Sequence, residues 1–207
     1  MTRWAWASRP LASWPLASWL GRGRAHRVLV LGGARSGKSA TAERLLASRD
    51  RVDYVATGGR PDAADPEWAE RVRAHQQRRP AHWVTLETLD LAGVLAGPQL
   101  TARDRATPLL VDCLSTWLAG VMDECGLWAD RPGAGQDLAT RVDGLLAAWQ
   151  VTTRPVVAVS NEVGSGVVPA TTSGRRYRDE LGVLNTRIAA ECEQVWLCTA
   201  GIARRLR

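Results

Sequence analysis

Of the 27 lysine and arginine residues in this chain one is a lysine, Lys38, and it sits inside the segment Gly32-Gly33-Ala34-Arg35-Ser36-Gly37-Lys38-Ser39. A composition so biased toward arginine keeps lysine where a guanidinium cannot substitute. A compact ammonium on a flexible stem reaches between phosphate oxygens as a point charge. The segment fits the phosphate-loop pattern G-x-x-x-x-G-K-[ST]. In that pattern backbone N–H groups cradle phosphates, Lys38 reaches the β and γ oxygens, and the Ser39 hydroxyl ligates Mg2+.

Two further residues carry chemistry. Leu109-Leu110-Val111-Asp112 is an apolar run ending in a carboxylate. Beside a phosphate loop such an acid suits the second metal-positioning group, although a terminal Asp also serves as the cap of a following helix. His75 lies near the end of a segment from Asp65 to Pro80, flanked by Arg71, Arg78 and Arg79 about one turn away. Spacing alone favours a solvated basic helix end. A neutral imidazole among guanidinium groups could equally attack a phosphorus atom.

The elements that must position these residues alternate. Arg27–Leu31 reads as a buried strand ahead of the loop, and Ser39 to Ser48 as the helix whose N-terminus faces it. Further strands are expected at 52–57, 83–86, 109–112, 155–159 and 195–199. Helices are expected at 66–77, 114–124, 138–150 and 175–193, the first with Asp65 as N-cap and Pro66 at its first position. This predicts an α/β fold: a phosphate-loop NTPase domain of the RecA-like kind, with a largely parallel sheet flanked by helices and its ligand edge beyond the carboxyl ends of the strands. Asn161 and Glu162 end one strand on that edge. His82, between Ala81 and Trp83 at a strand entrance, is expected to be packed or bonded to backbone.

At 207 residues the chain suits one domain, expected over 26–207. Residues 1–25, with Leu11-Ala-Ser-Trp14 and Leu16-Ala-Ser-Trp19 around Pro15, read as a poorly ordered Trp- and Arg-rich extension. No apolar stretch approaches the roughly 18 residues that span a bilayer. Cys113, Cys125, Cys192 and Cys198 form no C-x-x-C pair, which fits small apolar fillers in a reducing cytoplasm. The net charge of +6 is concentrated: residues 1–27 hold five arginines and no acid, and the remaining 22 basic residues face 21 acidic ones. A nucleic-acid partner loses its main support.

Taken in order, the motifs resemble a known family, the bifunctional adenosylcobinamide kinase and adenosylcobinamide-phosphate guanylyltransferase of cobalamin biosynthesis. The resemblance runs from about Arg27 to Ile202. It rests on the loop at 32–39, Tyr54-Val-Ala-Thr57, the Arg-Val-x-x-His segment ending at His75, and Arg79-Pro-Ala-His-Trp83 with Glu87. It continues through Asp112-Cys-Leu-Ser-Thr-Trp-Leu118, Ser160-Asn-Glu-Val-Gly-Ser-Gly-Val-Val-Pro169, Arg178-Asp179 with Gly182 and Asn185, and Glu193-Gln-Val-Trp-Leu197. The resemblance implies that a nucleoside triphosphate, ATP or GTP, phosphorylates adenosylcobinamide. GTP then guanylylates His75, and GMP passes to the substrate phosphate. It also implies that Lys38, Ser39 and Asp112 hold phosphates and Mg2+, and that Ala56-Thr57-Gly58, Gln76, Gln77, Arg78, Arg79 and Glu87 line the guanine nucleotide site. A cytoplasmic homotrimer acting on a corrinoid, without nucleic acid or membrane span, completes the expectation. The rivals are a plain phosphate-loop kinase that does not need His75, a recombination-like module on nucleic acid, and a chain keeping one of the two activities.

Overall fold

A computed structural model describes residues 27–59 and 66–207, with the side chains of Glu67, Trp68, Arg71 and Arg78 outside the description. The extension at 1–25 and the Asp65 cap therefore lie outside the described residues. In chain order the elements are β1 (Arg27–Gly32), α1 (Lys38–Leu46), β2 (Asp53–Ala56), α2 (Pro66–Arg78), β3 (Val84–Glu87), α3 (Leu91–Ala96) and α4 (Ala102–Ala106). They continue with β4 (Leu109–Asp112), α5 (Leu114–Glu124), α6 (Ala134–Val151), β5 (Val156–Asn161), α7 (Thr172–Ala190), β6 (Gln194–Thr199) and β7 (Ile202–Arg205).

The strands form one sheet in the order β3-β2-β4-β5-β1-β6-β7. The first six run parallel, and β7 pairs antiparallel with β6. Parallel strands need both faces covered, and the period of two in β1 supplies both. Leu29 packs toward the cluster built with α3, α5, α6 and α7, whereas Val28 and Val30 pack on the other face with Ala42 and Leu46 of α1. The register aligns the carboxyl ends. Ala56 pairs with both Glu87 and Asp112, and Gly32 pairs with both Asn161 and Cys198, so one edge collects the chemistry-bearing residues. Among the described residues no helix is long and apolar enough to cross a membrane.

Departures from the expected elements have local causes. Helix α6 begins at Ala134, earlier than 138, because Gly133 takes a left-handed φ of 83° as its N-cap. Helix α7 begins at Thr172, earlier than 175, where the Thr171 side chain accepts from the Gly174 amide. The short helices α3 and α4 are additions. Each is opened by a side-chain cap, Asp90 accepting from Gly93 and Thr101 accepting from Asp104. His82 is exposed in the turn before β3 and not packed, since Trp83 takes the buried position beside it. The four cysteines are buried and free.

At the opposite edge of the sheet, Arg154 is 2% exposed and its Nη2 lies 2.6 Å from Asp53 Oδ2. It also donates to the carbonyls of Thr107 and Val94, so a buried charge is fully hydrogen-bonded and ties β2 to the turns before β4 and β5. Arg154→Met is expected to lower stability by about 3–5 kcal/mol, because the Asp53 carboxylate loses its main partner. The urea midpoint checks this, and adding Asp53→Leu should recover part of the loss.

Candidate active site

The phosphate loop follows from backbone freedom at the end of β1. A Cβ on Gly32 would stand 2.3 Å from Ser36 Oγ and 2.7 Å from the Cys198 carbonyl, so nothing larger than glycine fits. Arg35 adopts φ 55° and Gly37 φ 92°, and Gly37 is the N-cap of α1. The first turn of α1 thereby begins at Lys38, and its unpaired amides face the loop as an anion site. The Lys38 ammonium donates to the Gly33 carbonyl at 3.1 Å across the mouth of the loop.

A second support is the hairpin joining β6 to β7. Ala200 and Gly201 have φ of 50° and 81°, the positive pair of a tight two-residue turn. The Gly201 amide donates to the Ser36 carbonyl at 3.0 Å, bracing the loop from behind. A Cβ on Gly201 would meet nothing within 4 Å, so its requirement for glycine is conformational only. Gly201→Val is expected to cost about 1–2 kcal/mol through that strained φ. Nucleotide affinity should weaken with it, as read by the urea midpoint and by titration with GTP.

Asp112 ends β4 and does not cap the next helix, whose N-cap position is Cys113. Its side chain is 9% exposed and its Oδ2 is shared: the Tyr54 hydroxyl donates to it at 2.7 Å, and His75 Nδ1 lies 3.3 Å away. Burial by itself would raise the Asp112 carboxyl. Hydrogen bonds from His75, Tyr54 and Ser39 outweigh it and hold the group below the usual carboxylate range. Burial pushes the Tyr54 phenol in the opposite direction, upward, and the Asp112 charge adds to that, so the phenol stays protonated as a donor. Ser39 and Asp112 thus form an adjacent oxygen pair at the start of α1 and the end of β4.

Helix α2 brings the third component. Its acids fall in the first turn and its bases toward the end, matching the helix dipole, and His75 sits in the last turn. The imidazole is a third exposed. It lines two adjoining clefts, one with the phosphate loop, Glu70 and Ala74, the other with Tyr54, Gln76, Arg79 and Glu87. Lys38, Ser39 and Asn161 line both clefts. Just beyond α2, the Arg79 guanidinium stacks 3.5 Å above the Tyr54 ring centre and Nη1 donates to Thr85 Oγ1 at 3.1 Å.

The expected nucleotide residues divide accordingly. Ala56, Gly58, Gln76, Arg79 and Glu87 gather around the second cleft with His75 and Asp112. Thr57 is buried instead, its hydroxyl donating to the Cys113 carbonyl at 2.7 Å, which fixes the turn after β4. Gln77 is exposed and lines neither cleft. Glu162 turns back, accepting from the Gly164 amide, whereas Asn161 faces the clefts and its carbonyl accepts from Asn185 at 3.0 Å. Tyr54 is the residue of the site that sequence reasoning passed over. It stood inside a quoted motif, but a tyrosine in an apolar run reads as core.

This arrangement can hold a polyphosphate at the α1 N-terminus and present an imidazole beside it. Among the described residues no cluster of three or more His, Cys, Asp or Glu could hold a metal by itself. The oxygen pair of Ser39 and Asp112 nevertheless suits a hard cation that takes its remaining ligands from phosphates and water.

Comparison with known proteins finds relatives that match most of the chain. The chain is 43% identical over 183 residues to the bifunctional adenosylcobalamin biosynthesis protein CobP of Pseudomonas aeruginosa, covering 87% of this chain and 97% of that one. It is 34% identical over 186 residues to the bifunctional adenosylcobalamin biosynthesis protein CobU of Escherichia coli, covering 87% and 99%. Among solved structures, an ATPase from a bacterial type III secretion system shares the fold, with a TM-score of 0.53 at 14% identity. That likeness covers 84% of this chain and about half, 51%, of the other. The family described as cobinamide kinase / cobinamide phosphate guanyltransferase matches residues 28–206, a span that takes in the phosphate loop, His75 and Asp112 alike. With that match over most of its length, and relatives whose full lengths it nearly spans, the chain belongs to the cobinamide kinase / cobinamide phosphate guanyltransferase family.

Proposed function

We propose that the protein phosphorylates adenosylcobinamide with ATP or GTP and then converts the product to adenosylcobinamide-GDP through a guanylylated His75. Family membership supports the pair of activities. The observation that carries the histidine route is the position of His75, which stands between the two clefts with Nδ1 engaged by Asp112, leaving Nε2 as the second ring nitrogen.

In the transfer reaction the Nε2 lone pair attacks the α-phosphorus of GTP. A P–N bond forms as the bond from that phosphorus to the bridging oxygen breaks, and pyrophosphate leaves with the electron pair. The Nδ1 proton stays on the ring, where Asp112 faces the positive charge. A phosphate oxygen of adenosylcobinamide phosphate then attacks the same phosphorus, and the P–N electrons return to Nε2. Lys38 and the α1 amides hold phosphate oxygens throughout, and Arg79 lies on the side where the nucleoside would enter. Ser39 and Asp112 would hold Mg2+, which when bound neutralises phosphate charge. The same reading includes a cytoplasmic homotrimer.

The test is α-labelled GTP. Label is expected on the denatured protein, released by acid and stable to base, as a phosphoramidate requires. Absence of covalent label would leave a plain kinase.

A further inference from the structure

Two tyrosines and no phenylalanine occur in this chain. Both tyrosine hydroxyls are spent on the same short segment. Tyr54 donates to the Asp112 carboxylate at 2.7 Å, and Tyr177 donates to the Ser115 carbonyl at 3.0 Å. The first bond converges with His75, because Oδ2 of Asp112 accepts the Tyr54 hydroxyl and lies 3.3 Å from His75 Nδ1. We infer that Tyr54 is a positioning residue, which acts through Asp112 to lock the His75 ring with Nδ1 as donor and Nε2 open to phosphorus.

A carboxylate oxygen offers two lone-pair directions, and Oδ2 has two neighbours, the Tyr54 hydroxyl and His75 Nδ1. The hydroxyl bond therefore fixes the rotation of the carboxylate about its last torsion. That rotation decides whether an oxygen meets His75 and, with it, which ring nitrogen keeps the proton. Tyr54 is 1% exposed on β2, a strand paired on both sides, so its hydroxyl is a fixed reference point. Its ring also serves the same end. Arg79, one turn beyond His75, stacks on it at 3.5 Å, so the chain leaving α2 meets Tyr54 directly at the ring, while the hydroxyl reaches Asp112 of β4, which faces His75. A tyrosine that only filled the core would need neither contact.

This inference rests on His75 as the guanylyl acceptor, and its test has a readout that does not. In 15N-histidine-labelled full-length protein the chain's three histidines give few signals, and His75→Ala assigns the one that matters. At alkaline pH the wild-type His75 ring is expected with its proton on Nδ1. In Tyr54→Phe, which keeps the ring under Arg79 and removes the hydroxyl, the signal should move toward a mixture of tautomers. Single-turnover guanylylation of Tyr54→Phe should slow by about tenfold to a hundredfold, the usual effect of losing such a supporting hydrogen bond. The GTP concentration for half-maximal rate should stay within about twofold, since losing one orienting bond changes the step and not the binding.

A wild-type His75 carrying its proton on Nε2 overturns the inference without any variant, so a poorly folding Tyr54→Phe protein does not protect it. An unchanged tautomer and unchanged rate in Tyr54→Phe overturns it too, as does a rate loss explained wholly by a raised GTP requirement. Covalent label persisting in His75→Ala would instead remove the acceptor assignment while leaving the tautomer result standing, which separates the two failures.

Discussion

His75→Ala is expected to abolish transfer of GMP to adenosylcobinamide phosphate, with a loss on the order of 10^4-fold or more, as when a covalent nucleophile is deleted. Among the described residues His82 is exposed in the turn before β3 and lines neither cleft, and Lys38 is held on the Gly33 carbonyl. Phosphorylation of adenosylcobinamide should persist, because Lys38, Ser39 and Asp112 remain in place and Asp112 keeps its hydrogen bonds from Tyr54 and Ser39. His82→Ala should accept label from α-labelled GTP as the wild type does. The measurement is paired: covalent label on the denatured protein, and formation of adenosylcobinamide phosphate, both in the same preparation. Label on His75→Ala at the wild-type level would place the acceptor elsewhere and return His75 to the role of a charged helix end.

Lys38→Arg should be nearly as damaging as Lys38→Ala, each lowering kcat/KM for nucleotide use on the order of 10^3-fold. The reason is shape as much as charge. The ammonium spans the loop to the Gly33 carbonyl at 3.1 Å, in a turn whose first glycine, Gly32, leaves no room for a side chain. A planar guanidinium with a fixed fork of donors cannot enter as a point charge, although the chain uses arginine at every other basic position. Steady-state turnover of the arginine variant decides the matter, and a rate like that of the wild type would show that charge alone suffices. Both variants should keep the wild-type urea midpoint, since the lysine side chain supports no buried partner.

Much of the scaffold was legible because it repeats. Apolar runs of four to six residues bounded by turn signals marked β1, β2, β4, β5 and β6, and the phosphate-loop pattern located the start of α1 almost to the residue. Asp112 was legible as a carboxylate at a strand end. The pieces that escaped carry weak local signals. The two-residue Ala200-Gly201 turn lacks the Asn-Gly or Asp-Gly signature, so β7 and its brace on Ser36 were invisible. Arg154 in a polar turn gave no hint of burial, because its partner Asp53 is far away in the chain.

Chemistry that depends on local stretches of chain could be read from residue order: a loop for phosphates, a lone lysine to serve it, a strand-end acid, and a helix whose charges match its dipole with a histidine in its last turn. The chain's ordered motifs also resemble those of one family, and that resemblance made the histidine a candidate nucleophile as well as a helix end. How those residues meet one another came from the folded arrangement. His75, Asp112 and Tyr54 come from three segments, and a contact such as His75 Nδ1 to Asp112 Oδ2 at 3.3 Å depends on strand register and on how α2 lies over the sheet edge. Periodicity fixes which face a residue occupies, but not which distant oxygen a hydroxyl will find there, because that is settled by the packing of whole elements.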